Sequence, residues 1–381
     1  MATTTTSSSS APANGTAPHP HRLLLVSAPR TASNLLVKIL NIHQQPNVLT
    51  NDKGGYFFFD AYTSGIGNER FKTPLNQWPE EWRTELRNLY QQSLDKLEEW
   101  SARAAAENKI MFSKEHSFLF LNPAILFAPP GGGDDASSSS EPMSKEEEFF
   151  RLRIPATERY GGGAQQQTWS AGNRTVLSDE YLRTWQMAFL IRHPALAFPS
   201  MFRAVTRMTR EGILNEDGVR GSSPNSTLTL RWTRMLFDWC AAQAQTSNNN
   251  NGDAAAAAAM MPLLLDAHDV IHNPNVVLRF AEAAGLDKDA VQFEWNAEEK
   301  KLDWGLIGNN DFGARSQAIM LSTLQNSTGI VKEKAPDVID IKAEAEKWKE
   351  EFGPEVGGMI EKAVLDAMPD YEYLREKRVR A

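Results

Sequence analysis

A single cysteine, Cys240, in 381 residues excludes an intrachain disulfide and any cysteine-based metal cluster, and it points to a reducing compartment. Long apolar runs are missing too, for no stretch approaches the roughly 18 residues that a membrane helix needs. Residues 1–21 are mostly Ser, Thr, Ala and Pro without a hydrophobic signal core, and arginine is absent before Arg22, so neither export nor a transit peptide is expected. The cytoplasm is the expected location, with no membrane partner. Excess positive charge is also lacking. A formal net charge of -8 argues against nucleic-acid binding through a general basic surface, so an anionic ligand has to be drawn by local charge. Absent as well is G-x-x-x-x-G-K-[ST], the loop with which nucleoside triphosphatases cradle phosphate and magnesium.

What is present is enough apolar content, 41%, to bury a large core. Four segments cannot support one: the tail 1–21 and the stretches near 129–148, 161–173 and 245–261. They include Ser137 to Ser140, Asn248 to Asn251 and Ala254 to Ala259, runs of the kind inserted in surface loops. The expected organisation is a disordered tail followed by one α/β domain over 22–381 that carries these low-complexity insertions. Short apolar runs at 23–27, 109–113, 186–191 and 263–266 alternate with helix-spaced segments at 33–43, 80–103, 197–210, 229–244, 274–284 and 341–368. This alternation predicts a central parallel sheet flanked by helices. No internal repeat is found, and no pattern specifies an oligomeric state.

Each predicted strand ends in polar or charged residues, and in such sheets ligands bind beyond the carboxyl ends of the strands. After Leu23-Leu24-Leu25-Val26 comes Ser27-Ala28-Pro29-Arg30-Thr31-Ala32-Ser33-Asn34-Leu35. About five backbone N–H groups at this turn and helix start have no intrahelical partner, which suits a phosphate-sized anion, with Arg30, Thr31, Ser33 and Asn34 adding a cation and donors. Plain helix capping by Ser, Thr or Asn explains the same residues. The strand ending in Ile191 puts Arg192 at its mouth, and the helix after Pro194 brings Ser200 about two turns along, a combination suited to a second phosphate. Arg192 is equally able to bond a neighbouring loop. In the third strand end, Ser113-Lys114-Glu115-His116, period-two alternation sets Lys114 and His116 on one side. A neutral histidine there is able to take a proton from a hydroxyl while the ammonium neutralises developing charge, although either residue also fits an ordinary surface position.

Taken in order, these segments resemble the sulfotransferases that use 3′-phosphoadenosine 5′-phosphosulfate, a family with a three-layer P-loop fold. Ser27 to Leu35 resembles the family's 5′-phosphosulfate loop in its Pro-Arg form. Arg192 and Ser200 match the spacing of its 3′-phosphate motif, and Lys114-Glu115-His116 is similar to its Lys-x-His strand end. Leu263 to Val270, with Asn273-Pro274 and the following helix, resembles a structural unit of its C-terminal half. The resemblance implies sulfuryl transfer from that donor to a hydroxyl or amine of a small acceptor, as in secondary metabolism, and it requires no metal. His116, Lys114 and Arg30 are the implied catalytic groups. Arg30, Thr31, Ala32, Ser33, Asn34, Arg192 and Ser200 are the implied donor-binding residues. Tyr56, Phe57 and Phe58, with the region of Trp78 and Trp82, offer an aromatic acceptor pocket. Core packing is the alternative for those residues and for Phe202, Trp232 and Trp304. Ala32 replaces the usual loop glycine, Asn34 stands where a hydroxyl is common and Leu35 replaces an aromatic. The family's late Arg-Lys-Gly segment is not evident, and residues 316–330 fall in its region. These departures motivate two rival readings: a repurposed enzyme catalysing cyclisation, dehydration or rearrangement, and a noncatalytic nucleotide-binding protein.

Overall fold

The computed structural model describes residues 22–64, 73–128, 144–155, 167–214, 227–251, 261–296 and 311–381. The tail, the Ser137 to Ser140 and Ala254 to Ala259 runs, and Trp304 lie outside them. Five parallel strands form one sheet in the order β2-β3-β1-β4-β5. They are β1 (Arg22–Ser27), β2 (Val48–Leu49), β3 (Ile110–His116), β4 (Gln186–Ile191) and β5 (Leu263–Asp266). Every residue of β1 is buried, and because successive side chains point to opposite faces, both faces of the sheet must be covered. That is the three-layer arrangement expected.

The main helices are α1 (Ser33–Ile39), α2 (Glu80–Ala106), α3 (Pro194–Arg210), α4 (Arg231–Asn251), α5 (Ala267–His272), α6 (Pro274–Ala283), α7 (Asp311–Met320), α8 (Ile341–Phe352) and α9 (Pro354–Glu376). Among the described residues no helix is long and apolar enough to cross a membrane.

Four expectations need correction. Residues 341–368 do not form one helix: Gly353 adopts φ 87°, and Pro354 restarts the chain as the first residue of α9. The apolar spacing runs through this break, so periodicity alone hides it. The helix expected to close at Ala244 continues to Asn251, into the asparagine run, while the helix expected over 33–43 is α1 followed by a separate turn, Ile42–Gln44. Strand β3 runs three residues beyond Ser113, because its polar end still pairs with β1.

Register places the chemistry. Ser27 pairs with His116 on one side and with Leu190 on the other, and Ile191 pairs with Asp266. The strands therefore finish at one level. From β1 the chain leaves toward β2 at one edge, and from β4 it leaves toward β5 at the other, so a crevice opens between these ends.

Candidate functional site

At the end of β1 the chain turns sharply. Arg30 (φ 63°) and Ala32 (φ 67°) both take the left-handed backbone that side chains other than glycine disfavour. Thr31, fully buried, turns its hydroxyl back to donate to the Ala28 carbonyl at 2.8 Å. Ala32 occupies the N-cap position of α1 and supplies no side-chain cap. Capping therefore does not explain the polar residues here. The first backbone hydrogen bond into the helix comes from Leu36 to the Ala32 carbonyl, and among the described residues the amides of 31–35 have no backbone acceptor. Alternating left- and right-handed residues gather such N–H groups into a concave anion-binding nest.

Arg30 crosses to α3, where its Nε donates to Ser200 Oγ at 3.0 Å, and it also donates to the Met320 carbonyl at the end of α7. Arg192, just past β4, donates to the Arg30 carbonyl at 2.9 Å and to the Lys334 carbonyl at 2.7 Å. Its Nε is buried without a partner. Among the described residues neither guanidinium forms an ion pair with a carboxylate. Burial lowers the pKa of Arg30, and burial together with Arg30 lowers that of Arg192 to about 10. Two adjacent half-buried cations, one with a buried N–H that has no partner, make a pocket suited to an anion. The 316–330 region, unassigned in the sequence, reaches Arg30 through Met320.

His116 closes the other side. Its Nδ1 lies 3.0 Å from Ser27 Oγ and its Nε2 lies 2.9 Å from the Tyr56 hydroxyl. Burial, then the nearby Lys114 charge, depress its pKa to about 3, so the ring is neutral at physiological pH. Lys114 is fully buried, 4.4 Å from the centre of the Tyr56 ring, and donates to Asn34 Oδ1. Burial lowers its pKa to about 7.

Tyr56 reaches this place because the preceding segment packs closely on β3. The Gly55 carbonyl accepts from the Lys114 amide at 2.9 Å, and a Cβ on Gly55 (φ 92°) would lie 2.9 Å from that nitrogen. Asn51 ties the turn together, with Oδ1 accepting from the Lys53 and Gly55 amides and Nδ2 donating to the Tyr56 carbonyl. Glu115, given no role by the sequence, accepts from the Phe57 and Phe58 amides at 2.6 and 3.0 Å. Burial raises its pKa to about 8 against the opposing effect of those two bonds. A carboxylate one residue before the end of a fully paired strand was the signal for it.

The structure thus brings together Arg30, Asn34, Lys114, His116, Arg192, Ser200 and Tyr56 around the ends of β1, β3 and β4. The other aromatic candidates lie differently. Phe58 is buried against Tyr90 and Phe120, Phe57 is buried, and Trp78 packs on Trp82 and Phe127 with its Nε1 donating to the Thr73 carbonyl. Phe202 meets Phe352 edge to face. Trp232 lines a small cavity with Ser117, Leu121, Arg174, Thr175 and Met235, beginning one residue after His116.

Comparison with known proteins places this geometry in context. The chain is 36% identical over 368 residues to a protein named sulfotransferase ppzF from Metarhizium rileyi (strain RCEF 4871), covering 95% of this chain and 97% of the relative. It is 36% identical over 371 residues to sulfotransferase ppzF from Metarhizium majus (strain ARSEF 297), covering 95% and 98%. Among solved structures it is similar to the sulfotransferase domain of the Synechococcus PCC 7002 olefin synthase, with 12% identity, a TM-score of 0.33, and coverage of 88% of this chain and 96% of that one. No family model matches the chain.

Proposed function

The chain belongs to the sulfotransferase family, and we propose that it moves a sulfuryl group from 3′-phosphoadenosine 5′-phosphosulfate to a hydroxyl, or an amine, of a small acceptor. The observation that carries this reading is a cluster of cations, fully buried Lys114 with half-buried Arg30 and Arg192, in an acidic chain and beside amides at residues 31–35 that have no backbone acceptor among the described residues. Such a cluster is stabilised further by a polyanion.

In this reading the amides of the β1 turn, with Arg30, Thr31, Ser33 and Asn34, hold the 5′ end of the donor, and Arg192 with Ser200 holds the 3′-phosphate. The donor supplies an activated sulfuryl group whose leaving phosphate gains charge as the bond breaks. Lys114 and Arg30 lie where they offset that charge. His116 is the base. Its Nε2 meets the Tyr56 hydroxyl, and we assign Tyr56 as a relay that passes the acceptor's proton to the ring while Ser27 holds Nδ1. A ring held near pKa 3 is a weak base, but a bound anion raises it again by favouring the imidazolium.

His116→Ala is expected to lower turnover by about two or more powers of ten while leaving the affinity for adenosine 3′,5′-bisphosphate nearly unchanged. Unaltered turnover in that variant removes His116 as the base. One observation favours a repurposed enzyme: Arg30 already donates to Ser200 and to the Met320 carbonyl, and Arg192 to the carbonyls of Arg30 and Lys334. Donor-product binding separates the two readings.

A further inference from the structure

Outside this crevice, three side chains of metal-ligand type converge beyond the end of β5. Helix α5 carries His268 and His272 four residues apart, so both rings leave the same helix face, with centroids 4.6 Å apart. The segment after the turn Lys332–Lys334 brings Asp337 to them, its Oδ1 3.0 Å from His268 Nε2. One ligand atom from each of the three residues lies within 4.8 Å of the others.

We infer that His268, His272 and Asp337 form a binding site for a divalent metal ion of zinc's chemistry. Tetrahedral zinc with nitrogen and oxygen ligands at about 2.0–2.2 Å sets those atoms roughly 3.4 Å apart. Asp337 is 86% exposed and free to swing, so a small side-chain rotation closes the set. His268 has a carboxylate near its other ring nitrogen. Asp269 Oδ1 stands 3.8 Å from its Nδ1, Arg378 holds Asp269 at 2.6 Å, and Asp266 accepts from the His268 amide. A carboxylate behind one ring nitrogen is the usual support that turns the other nitrogen toward a metal. His272 contributes Nε2 by giving up its 2.7 Å bond to the Ala335 carbonyl. Three protein ligands leave the fourth position to water.

The ion would act as a clasp, away from the reacting groups. It joins α5 to the 332–337 segment, and that segment presents the Lys334 carbonyl to Arg192. Sequence spacing gives the two histidines; Asp337, sixty-five residues after His272, joins them only through the fold.

The test uses the full chain, stripped with chelator and titrated with Zn²⁺ by calorimetry and with Co²⁺ by visible absorption. The wild type is expected to bind one ion at a site that His268→Ala/His272→Ala weakens by about 100-fold and Asp337→Asn by about tenfold. Zinc should raise the melting temperature of the wild type and leave that of the double variant unmoved. Asp337, being exposed, changes without threatening the fold, so its variant stays informative if the double variant unfolds. Other histidines outside the cluster bind weakly in every variant and cancel in the comparison. No zinc uptake by the wild type, or equal affinity in all three proteins, overturns the site.

Discussion

Ala32 sits in a left-handed backbone (φ 67°) at the turn that begins α1, where a glycine would rest without strain. Ala32→Gly is therefore expected to raise stability by about 0.5–1 kcal/mol, read as a higher melting temperature, and a lower one contradicts the strain. Tyr56 makes its contribution through one oxygen. Removing it in Tyr56→Phe is expected to cut turnover by about a hundredfold with donor-product affinity unchanged, whereas a hydroxyl that merely fills space leaves turnover intact. His116 connects chemistry to pH. Its folded pKa is depressed to about 3 from an ordinary 6.5, so its neutral form stabilises the fold fully above about pH 6.5, and that contribution is lost as pH falls toward 3. His116→Gln removes the dependence. The melting-temperature gap between wild type and variant should shift against the wild type between pH 7 and pH 4; a gap that does not move contradicts the depressed pKa. That Arg30, Lys114, His116, Arg192 and Ser200 fall near one another at the strand ends was legible because each lies at or close to the end of a readable strand or early in a readable helix. Glu115 and Asn51 were not, because their partners are backbone amides and carbonyls that only the folded chain supplies.

Among the elements, the strands were the most legible, since fully buried β segments read as continuous apolar runs bounded by polar residues. Strand β2 escaped notice, being two residues whose pairing with β3 is fixed by register and not by pattern. The hairpin of α8 and α9 was read as one helix. Its packing yields a paired prediction. A Cβ on Gly357 would meet the Lys349 backbone at 2.6 Å, while one on Gly358 would meet nothing within 4 Å. Gly357→Ala should thus destabilise the protein by about 1–3 kcal/mol through overpacking, and Gly358→Ala should stabilise it by up to about 1 kcal/mol through helix propensity. Thermal melts of the two variants check both signs. Equal shifts would show that the two helices do not pack at Gly357.

For the whole molecule, the net charge of -8 and the clustered Arg30, Arg192 and buried Lys114 point in opposite directions. An acidic surface gives no general attraction for anions, so recognition has to be built into one crevice. The sheet order does this by bringing strand ends from residues 27, 116 and 192 side by side. Composition and motif order foretold the parallel sheet and the family, to which the fungal relatives at 36% identity assign the chain. They did not foretell that Met320 and Lys334 would reach back to the two arginines, because those contacts are made by carbonyls, which every residue has. The central claim is that this crevice holds a nucleotide bearing two separate phosphates. Calorimetric titration with adenosine 3′,5′-bisphosphate, for the wild type and Arg192→Ala, tests it most directly. The expected result is binding of one equivalent by the wild type and a loss of about tenfold or more in the variant, from removal of a charge-assisted hydrogen bond. Absence of binding by the wild type, or equal affinity in both proteins, contradicts the claim.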